Sequence, residues 1–314
     1  MNILIWHVHG SRTTSFVQGT HTYLVPVVPD RGPDGRGRAA TWDWPATVLE
    51  RTPQDLRDDE IDLVILQRPE DERLFEGWTG RRAGRDVPAV WLEHNAPQGR
   101  VSEMRHPAAD RDDVTVVHVT RANDLFWDCG ATTTTVIEHG IVDPGYRYTG
   151  ELARAAVVVN EPVRRGRVTG TDLLPRFADV VPLDVFGIQV AALASSRIAA
   201  HDDMPQARLH DELARRRVYL HPVRWTSLGL SLLEAMHLGM PVVALSTTEV
   251  PEAVPAEAGV VSNRFDVLGM ALRRFLHDPE DAAGCGKLAR EAALARYGLA
   301  RFLADWDRLM EEVA

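Results

Sequence analysis

Residues 218–245 read VYLHPVRWTSLGLSLLEAMHLGMPVVAL, and this stretch decides the fold of the second half of the chain. A β-branched apolar run leads into a loop with hydroxyl residues and glycine, and a helical pattern follows that Gly239 and Pro241 end. A second apolar run comes next. This order of strand, loop, helix and strand is typical of a parallel sheet covered by helices.

The loop before the helix predicts an anion-binding site. Backbone amides and hydroxyls stand there at the positive end of the helix dipole, a geometry that suits a pyrophosphate. The residues concerned are Thr226, Ser227, Leu228 and Gly229. Glu234 follows about one and a half turns later among apolar residues, where a carboxylate is costly to bury without a donor. A ribose diol would be a suitable partner, and a solvent-facing glutamate on an amphipathic helix is the alternative.

Short apolar runs alternate with helical segments along the whole chain, so we predict an α/β protein with two doubly wound, Rossmann-like domains that face a cleft. Strands are expected at residues 2–8, 61–66, 87–92, 114–119 and 134–137, and again at 156–160, 180–186, 218–220, 242–245 and 259–262. Helices are expected at residues 171–178, opened by a Thr/Asp cap, at 205–216 and 228–238, and twice near the C-terminus.

The expected domains are residues 1–150 and 151–314. The last helix, residues 299–313, carries an apolar stripe that packs either within its own domain or back on the first one. Residues 10–50 are rich in Gly, Pro, Asp and Arg and read as a loop with short strands, which either lines a substrate pocket or covers the surface. Its Trp42 and Trp44 either stack on a sugar or pack in a core.

Composition narrows the function. The 314 residues are 45% hydrophobic and 25% charged, which is ordinary for a globular protein. A formal net charge of -10 argues against general nucleic-acid binding, because phosphate backbones would be repelled. Lys287 is the only lysine, so a phosphate clamp must use arginine, hydroxyls or helix amides.

The chain lacks other common signatures. Cys129 and Cys285 are far apart and show no metal or disulfide spacing, which fits a reducing cytoplasm. We expect no signal peptide, because residues 1–10 have no basic segment and too short an apolar run, and we find no apolar run long enough for a transmembrane segment. Dinucleotide, P-loop, zincin and serine-hydrolase motifs are absent, and Asp110 and Asp112 read as a solvated turn rather than a metal site. We therefore expect no metal and no cofactor, and the oligomeric state stays open.

Residues 218–245 resemble the donor-site signature of bacterial GT-B glycosyltransferases of family 4, also called group 1. That family marks its site with two glutamates separated by seven residues, the first touching the donor hexose and the second the ribose. The resemblance assigns Glu234 to the ribose, while Thr226 stands at the first position. In residues 246–254, STTEVPEAV, Thr247 and Thr248 stand where the family usually has glycines.

Upstream, residues 157–177 (VVVNEPVRRGRVTGTDLLPRF) resemble the family's arginine-containing loop, with Thr169 at the lysine position. The resemblance implies that Arg164, Arg165 or Arg167 neutralises the donor phosphates, and that Arg165 acts in catalysis. An exposed arginine run is the alternative. Met204 falls where the family's helix lies beside the nucleobase.

The first domain carries weaker similarity. Residues 89–97, AVWLEHNAP, resemble a strand that ends in a histidine facing the reacting sugar, which makes His94 a catalytic candidate; a supporting histidine is the alternative. Residues 136–145, VIEHGIVDPG, resemble the strand before the interdomain linker. Gly10 follows strand one, where the family has a glycine-containing loop under the donor phosphates.

The resemblance implies transfer of a sugar from a nucleotide diphosphate sugar to an unidentified small-molecule or glycan acceptor, with retention at the anomeric carbon and without metal. Two other readings remain. A nucleotide-sugar epimerase or a sugar phosphorylase uses the same architecture. A catalytically silent nucleotide-binding or partner subunit would explain threonine at positions 226 and 169.

Overall fold

The structure is a computed structural model that describes residues 1–314. The chain forms two compact units, residues 1–142 with 299–314, and residues 143–298. The boundary lies at residue 142 rather than at the expected residue 150. The reason is that the amides of residues 147–150 donate to the carbonyls of Leu238 and Ala214, which belong to the second unit.

The first unit is a parallel sheet covered by helices. Its strands are β1 (Asn2–Ile5), β2 (Thr22–Pro26), β3 (Val48–Arg51), β4 (Leu63–Leu66), β5 (Ala89–Glu93), β6 (Thr115–His118) and β7 (Thr134–Val136). Its helices are α1 (Gly10–Phe16), α2 (Pro53–Asp58), α3 (Pro69–Thr79), α4 (Arg121–Phe126) and a short 3₁₀ turn at Val101–Glu103. The strand order is β3-β2-β1-β4-β5-β6-β7, and every pair is parallel.

Both faces of this sheet are buried, as the apolar runs of its strands require. Within β1, Ile3 and Ile5 pack into one hydrophobic cluster, whereas Leu4 packs into the cluster on the opposite face. All five expected strands of this half are confirmed. The sheet also contains β2 and β3, which are the short strands expected inside residues 10–50, whereas the helix α1 at the start of this segment was not expected.

The second unit is also a parallel sheet with helices on it. Its strands are β8 (Leu152–Val158), β9 (Leu183–Gly187), β10 (Ile198–Asp202), β11 (Arg216–His221), β12 (Val242–Ala244) and β13 (Gly259–Val261), in the order β10-β9-β8-β11-β12-β13. Its helices are α5 (Pro162–Arg165), α6 (Leu174–Ala178), α7 (Gln206–Arg215), α8 (Leu230–Leu238), α9 (Val250–Ala253), α10 (Phe265–His277) and α11 (Pro279–Tyr297), with 3₁₀ turns at Thr171–Leu173 and Ala191–Leu193.

The last helix, α12 (Leu299–Val313), belongs to the first unit. Its apolar stripe is buried in the same cluster as Ile3 and Ile5 of β1. The residues of this stripe are Phe302, Trp306, Leu309 and Met310. The helix therefore completes one face of the first sheet.

The helix expected at residues 171–178 begins differently. A 3₁₀ turn precedes α6, and Gly170 at the start of that turn caps it without any side-chain hydrogen bond. The carboxylate of Asp172 does not act as a cap, because it forms an ion pair with Arg224. The chain also has three helices after residue 264 rather than two.

Each sheet has one point where the strand order reverses. In the first unit it lies between β1 and β4, and in the second between β8 and β11. Parallel α/β sheets bind ligands beyond the carboxyl ends of the strands at such a point. In the second unit, residues 159–170 follow β8 and residues 222–229 follow β11, so both predicted donor-site loops begin there. None of the helices is long and apolar enough to span a bilayer.

Candidate functional site

The start of α8 presents free backbone amides. The helix is capped by the extended residue Gly229, without a side-chain hydrogen bond, and its first turn holds no acidic residue. The first amide with an acceptor is that of Leu232, which donates to the Gly229 carbonyl at 3.0 Å. The four preceding amides, those of residues 228–231, donate to no protein group. An anion would therefore meet unsatisfied donors and the positive end of the helix dipole.

Glycine is required at position 229 because the loop lies directly over a buried histidine. A Cβ atom at Gly229 would lie 2.5 Å from Cε1 of His221, the last residue of β11. The His221 ring is 1% exposed and neither of its nitrogens has a hydrogen-bond partner. Burial lowers the pKa of His221 to about 4, so a neutral ring supports the loop at neutral pH.

The arginine loop that follows β8 is attached to the loop that follows β11. The carbonyl of Val168 accepts hydrogen bonds from the amides of Arg224 at 2.9 Å and Trp225 at 3.2 Å. Gly170 has a φ of +73°, and a Cβ atom there would lie 1.9 Å from the Pro222 carbonyl oxygen. The structure thus brings together the two loops that the sequence places on one anion.

The three arginines of this loop differ in what they contact. Arg164 forms an ion pair with Glu161, and Arg167 with Asp172 at 3.1 Å; both arginines are exposed. Arg165 is half-buried and forms neither an ion pair nor a side-chain hydrogen bond. Burial, and then the neighbouring Arg164 charge, lower the pKa of Arg165. Arg165 is therefore the guanidinium of the loop that is left to neutralise a ligand.

The Thr169 hydroxyl forms hydrogen bonds within the arginine loop itself. Its side chain is buried, and its hydroxyl donates to the Gly166 carbonyl at 3.1 Å and lies 2.8 Å from the Thr171 hydroxyl. Thr171 in turn donates to the Pro162 carbonyl at 2.9 Å. These bonds hold the arginine loop in shape. Thr226, in contrast, is half-buried and its hydroxyl has no protein partner.

Glu234 is buried rather than solvent-facing, with 5% of its surface exposed. Its Oε2 atom accepts a hydrogen bond from the Gln206 side-chain amide at 3.0 Å, and the same amide lies 2.8 Å from Nε2 of His210. Both partners belong to α7, so two helices fix the carboxylate. Met204 is half-buried and stands two residues before α7, next to Asp203, whose φ of +46° is unusual for a non-glycine residue.

In the first unit, His94 follows β5 and is 8% exposed. Its ring packs edge-on against the ring of His9, with 4.1 Å between the ring centroids. Burial, followed by the nearby His9 and Arg12, holds the pKa of His94 well below its usual value. Gly10 begins α1, and a Cβ atom there would lie 3.0 Å from Nε1 of Trp42.

Glu93 and its partners fix the backbone around His94, which the sequence did not indicate. One Glu93 oxygen accepts from the Asn95 amide at 2.7 Å, and the other lies 3.2 Å from Nε2 of His106. Because Nδ1 of His106 accepts from the Ala108 amide at 3.0 Å, its Nε2 carries the hydrogen and donates to Glu93. The Asn95 carbonyl accepts from side chains of α4 and the residue after it, Asn123 at 3.1 Å and Trp127 at 2.9 Å.

We predict that Glu93→Ala lowers the free energy of unfolding of the first unit by about 1–3 kcal/mol, because it leaves the buried Nε2–H of His106 and the part-buried amide of Asn95 without an acceptor. Urea unfolding measures this change. Glu103→Ala, at an exposed glutamate of the same unit, is the control and should change the value by less than about 0.5 kcal/mol. Equal effects of the two variants would show that Glu93 does not support the His94 turn.

The tryptophans of residues 10–50 pack in the protein. Trp44 is 4% exposed and donates to the Thr14 hydroxyl at 2.7 Å. Trp42 is half-buried against the same core. The packing interpretation of these two residues is therefore correct in this structure.

A second surface feature lies away from these elements. A cavity lies at the amino-terminal edge of the first sheet, where the chain enters β5 and β6. Acidic and arginine side chains line it, among them Glu72, Arg111 and Asp112. Asp110 bonds with Arg105 at 2.6 Å. No group of three His, Cys, Asp or Glu side chains is arranged to hold a metal ion.

Solved structures of known proteins share the fold of these two units. Both are Rossmann-like, and the chain has the two-domain GT-B fold of glycosyltransferases. Sucrose-phosphate synthase from Thermosynechococcus elongatus matches with a TM-score of 0.75 and 15% identity, over 99% of this chain and 98% of that one. Anabaena HepE in complex with UDP matches with a TM-score of 0.67 and 14% identity, over 99% of this chain and all of that one.

Sequence comparison adds a family match. Residues 193–292, within the second unit, match the family model "Glycosyl transferases group 1". Over 80 residues the chain is 39% identical to the sulfoquinovosyl transferase SQD2 of Arabidopsis thaliana. This match spans 24% of the chain and 16% of that relative's length. The matching family segment contains the loop at residues 226–229 and Glu234.

Proposed function

We propose that this protein is a retaining glycosyltransferase that moves a sugar from a nucleotide diphosphate sugar to an acceptor hydroxyl without a metal ion. The observation that carries the proposal is the group of free amides at residues 228–231, in a loop hydrogen-bonded to the loop that carries the unpaired Arg165, at the strand-order reversal of the second sheet. The group 1 family match supports it. Solved structures of similar fold include HepE with UDP and with UDP-glucose, so uridine nucleotides are the first donors to test.

In the proposed reaction, the bond between the anomeric carbon and the β-phosphate oxygen breaks. A bond from the acceptor oxygen to the same carbon forms on the same face, and the acceptor proton passes to the departing diphosphate. Negative charge develops on that diphosphate. The free amides and Arg165 are the groups proposed to stabilise this charge, and preorganised donors of this kind usually make the largest single contribution to catalysis.

Glu234 is proposed to accept hydrogen bonds from the ribose hydroxyls. Gln206 holds one oxygen of the carboxylate, and this contact fixes its orientation before the nucleotide arrives. Met204 is proposed to lie beside the base. His94, neutral at physiological pH, is proposed to hydrogen-bond the transferred sugar, and Gly10 to leave room for the donor phosphates.

A second candidate function is a silent subunit that binds the nucleotide without transferring a sugar. Thr226 favours it, because a threonine stands where the resembled family has the glutamate that touches the hexose. Such a protein would bind the nucleoside diphosphate and release none from a donor.

The proposal predicts that Glu234→Gln weakens binding of the nucleoside diphosphate by about 10- to 100-fold, because a charged acceptor for the ribose is lost. Calorimetry with UDP, GDP, ADP and TDP first identifies the base, and release of that diphosphate from its sugar donors then tests turnover. Glu257→Gln, at an exposed glutamate of the same unit, is the control. Binding without release with any acceptor favours the silent subunit, and binding of none of the four rejects both functions.

A further inference from the structure

The first unit contains a buried arginine with no acidic partner. Arg12, on α1, is 3% exposed. Its Nη1 atom lies 3.0 Å from Nδ1 of His139, whereas its Nε and Nη2 atoms have no hydrogen-bond partner. The two atoms without partners form one edge of the guanidinium, and this edge is the one that binds two oxygens of an oxyanion side by side.

The neighbouring histidine cannot supply the missing acceptor. A guanidinium only donates, so Nδ1 of His139 accepts from Arg12 and its Nε2 carries the hydrogen. This Nε2 atom is also buried without a partner. Burial, and then Arg12 and Arg301, hold the pKa of His139 well below its usual value. All of the unsatisfied polar atoms of this pair are therefore donors.

The surroundings contain cations and aromatic rings. The guanidinium carbon of Arg12 lies 5.6 Å from the ring centre of Phe302 and 5.9 Å from that of Trp306, both on α12. Arg301 of α12 also acts electrostatically on His139 and lowers its pKa. The nearby acidic residue, Asp305, is already paired with Arg301 at 2.8 Å. Burial lowers the pKa of Arg12 to about 9, with no opposing effect from a carboxylate.

This arginine stands at the ligand-binding edge of the first sheet. Arg12 follows β1, His139 follows β7 and His94 follows β5, so all three come after the carboxyl ends of parallel strands. The charge of Arg12 lowers the pKa of His94, so the two side chains lie near each other.

We propose that the Nε–Nη2 edge of Arg12 binds an oxyanion, a carboxylate or a phosphate-type group, carried by a substrate of this protein. His139 holds the guanidinium from its other side and leaves this edge without a protein acceptor. The anion would satisfy donors that the protein leaves without an acceptor and neutralise a charge that no side chain balances. Two substrates could carry such a group: an anionic acceptor, or the donor through its diphosphate.

The test measures binding of bare anions to the full chain, so it does not depend on the proposed transfer reaction. Inorganic phosphate and acetate are titrated, and UDP is titrated separately, by calorimetry and by the ¹⁵N-labelled Nε–H signal of Arg12. We expect saturable binding of one bare anion that shifts this signal. Arg12→Lys, which keeps the charge but loses the fork, should weaken this binding at least tenfold. Arg81→Gln is the control, because Arg81 also stacks on a ring of the first unit, Phe75 at 5.7 Å.

The outcomes separate the two sources. Loss of bare-anion binding in Arg12→Lys with unchanged UDP binding assigns the site to an acceptor's anion. Parallel loss of UDP binding assigns it to the donor diphosphate. If Arg12→Lys does not fold, the shift of the Arg12 Nε–H signal in the unaltered protein still shows which of the titrated anions binds. If phosphate, acetate and UDP all leave that signal in place, a buried water satisfies Arg12 and the proposal is wrong.

Discussion

Replacing Arg165 with glutamine should slow release of the nucleoside diphosphate from the donor by about 10²- to 10³-fold, the usual cost of removing one preoriented group that stabilises developing charge. The expectation follows from the lack of a partner for the Arg165 guanidinium in the second unit. It is half-buried and has no carboxylate partner, so its charge is available to a ligand. Steady-state kinetics with saturating donor measure the effect as a fall in kcat.

Arg164→Gln is the matched control, because Arg164 is adjacent in sequence and already paired with Glu161. Its rate should stay within about threefold of the parent, since an exposed pair contributes little. Arg165→Lys should recover part of the loss, because a lysine restores the charge but not the planar fork. Similar rates for Arg165→Gln and Arg164→Gln would mean that the arginine loop acts only as an exposed basic surface.

Most strands that the sequence predicts have continuous apolar runs, because interior parallel strands are buried on both faces. The edge strands β7 and β13 were predicted from their β-branched residues. The strand it misses, β10, is an edge strand that ends in the polar residues His201 and Asp202. Within residues 10–50 the sequence predicts short strands without placing them, because Gly- and Pro-rich residues surround β2 and β3.

The two loops of the proposed donor site could be found from the sequence because hydroxyls, glycine and free amides are local properties of a chain. Their partners could not. The selection of Arg165 among three arginines depends on Glu161 and Asp172 engaging the other two, and the burial of Glu234 depends on Gln206 and His210 of another helix. Likewise Thr169 reads as a substituted phosphate contact in sequence, and only the fold reveals its bonds to Gly166 and Thr171.

Acid should destabilise the second unit through His221. The folded pKa of about 4 lies below the ordinary value of 6.5, so between these pH values the unfolded chain takes up a proton that the folded chain refuses. Stability is therefore highest above pH 6.5, falls as the pH drops toward 4, and loses about 2 kcal/mol from this group at pH 5. In His221→Gln, the difference in unfolding free energy between pH 7.5 and pH 5 should shrink by about that amount.

Hydrogen exchange of the amides in β11 and α8 reports the second unit separately, and His277→Gln, at an exposed histidine of the same unit, should keep the parent's pH dependence. If His221→Gln also kept it, the ring would be hydrated rather than buried.

The functional consequence follows from the 2.5 Å approach that a Cβ at Gly229 would make to the His221 ring. A proton on that ring needs solvent, and the loop that contains Gly229 lies directly over the ring, so we expect protonation to displace the loop. Nucleotide binding should therefore weaken over the same pH range in which the second unit loses stability.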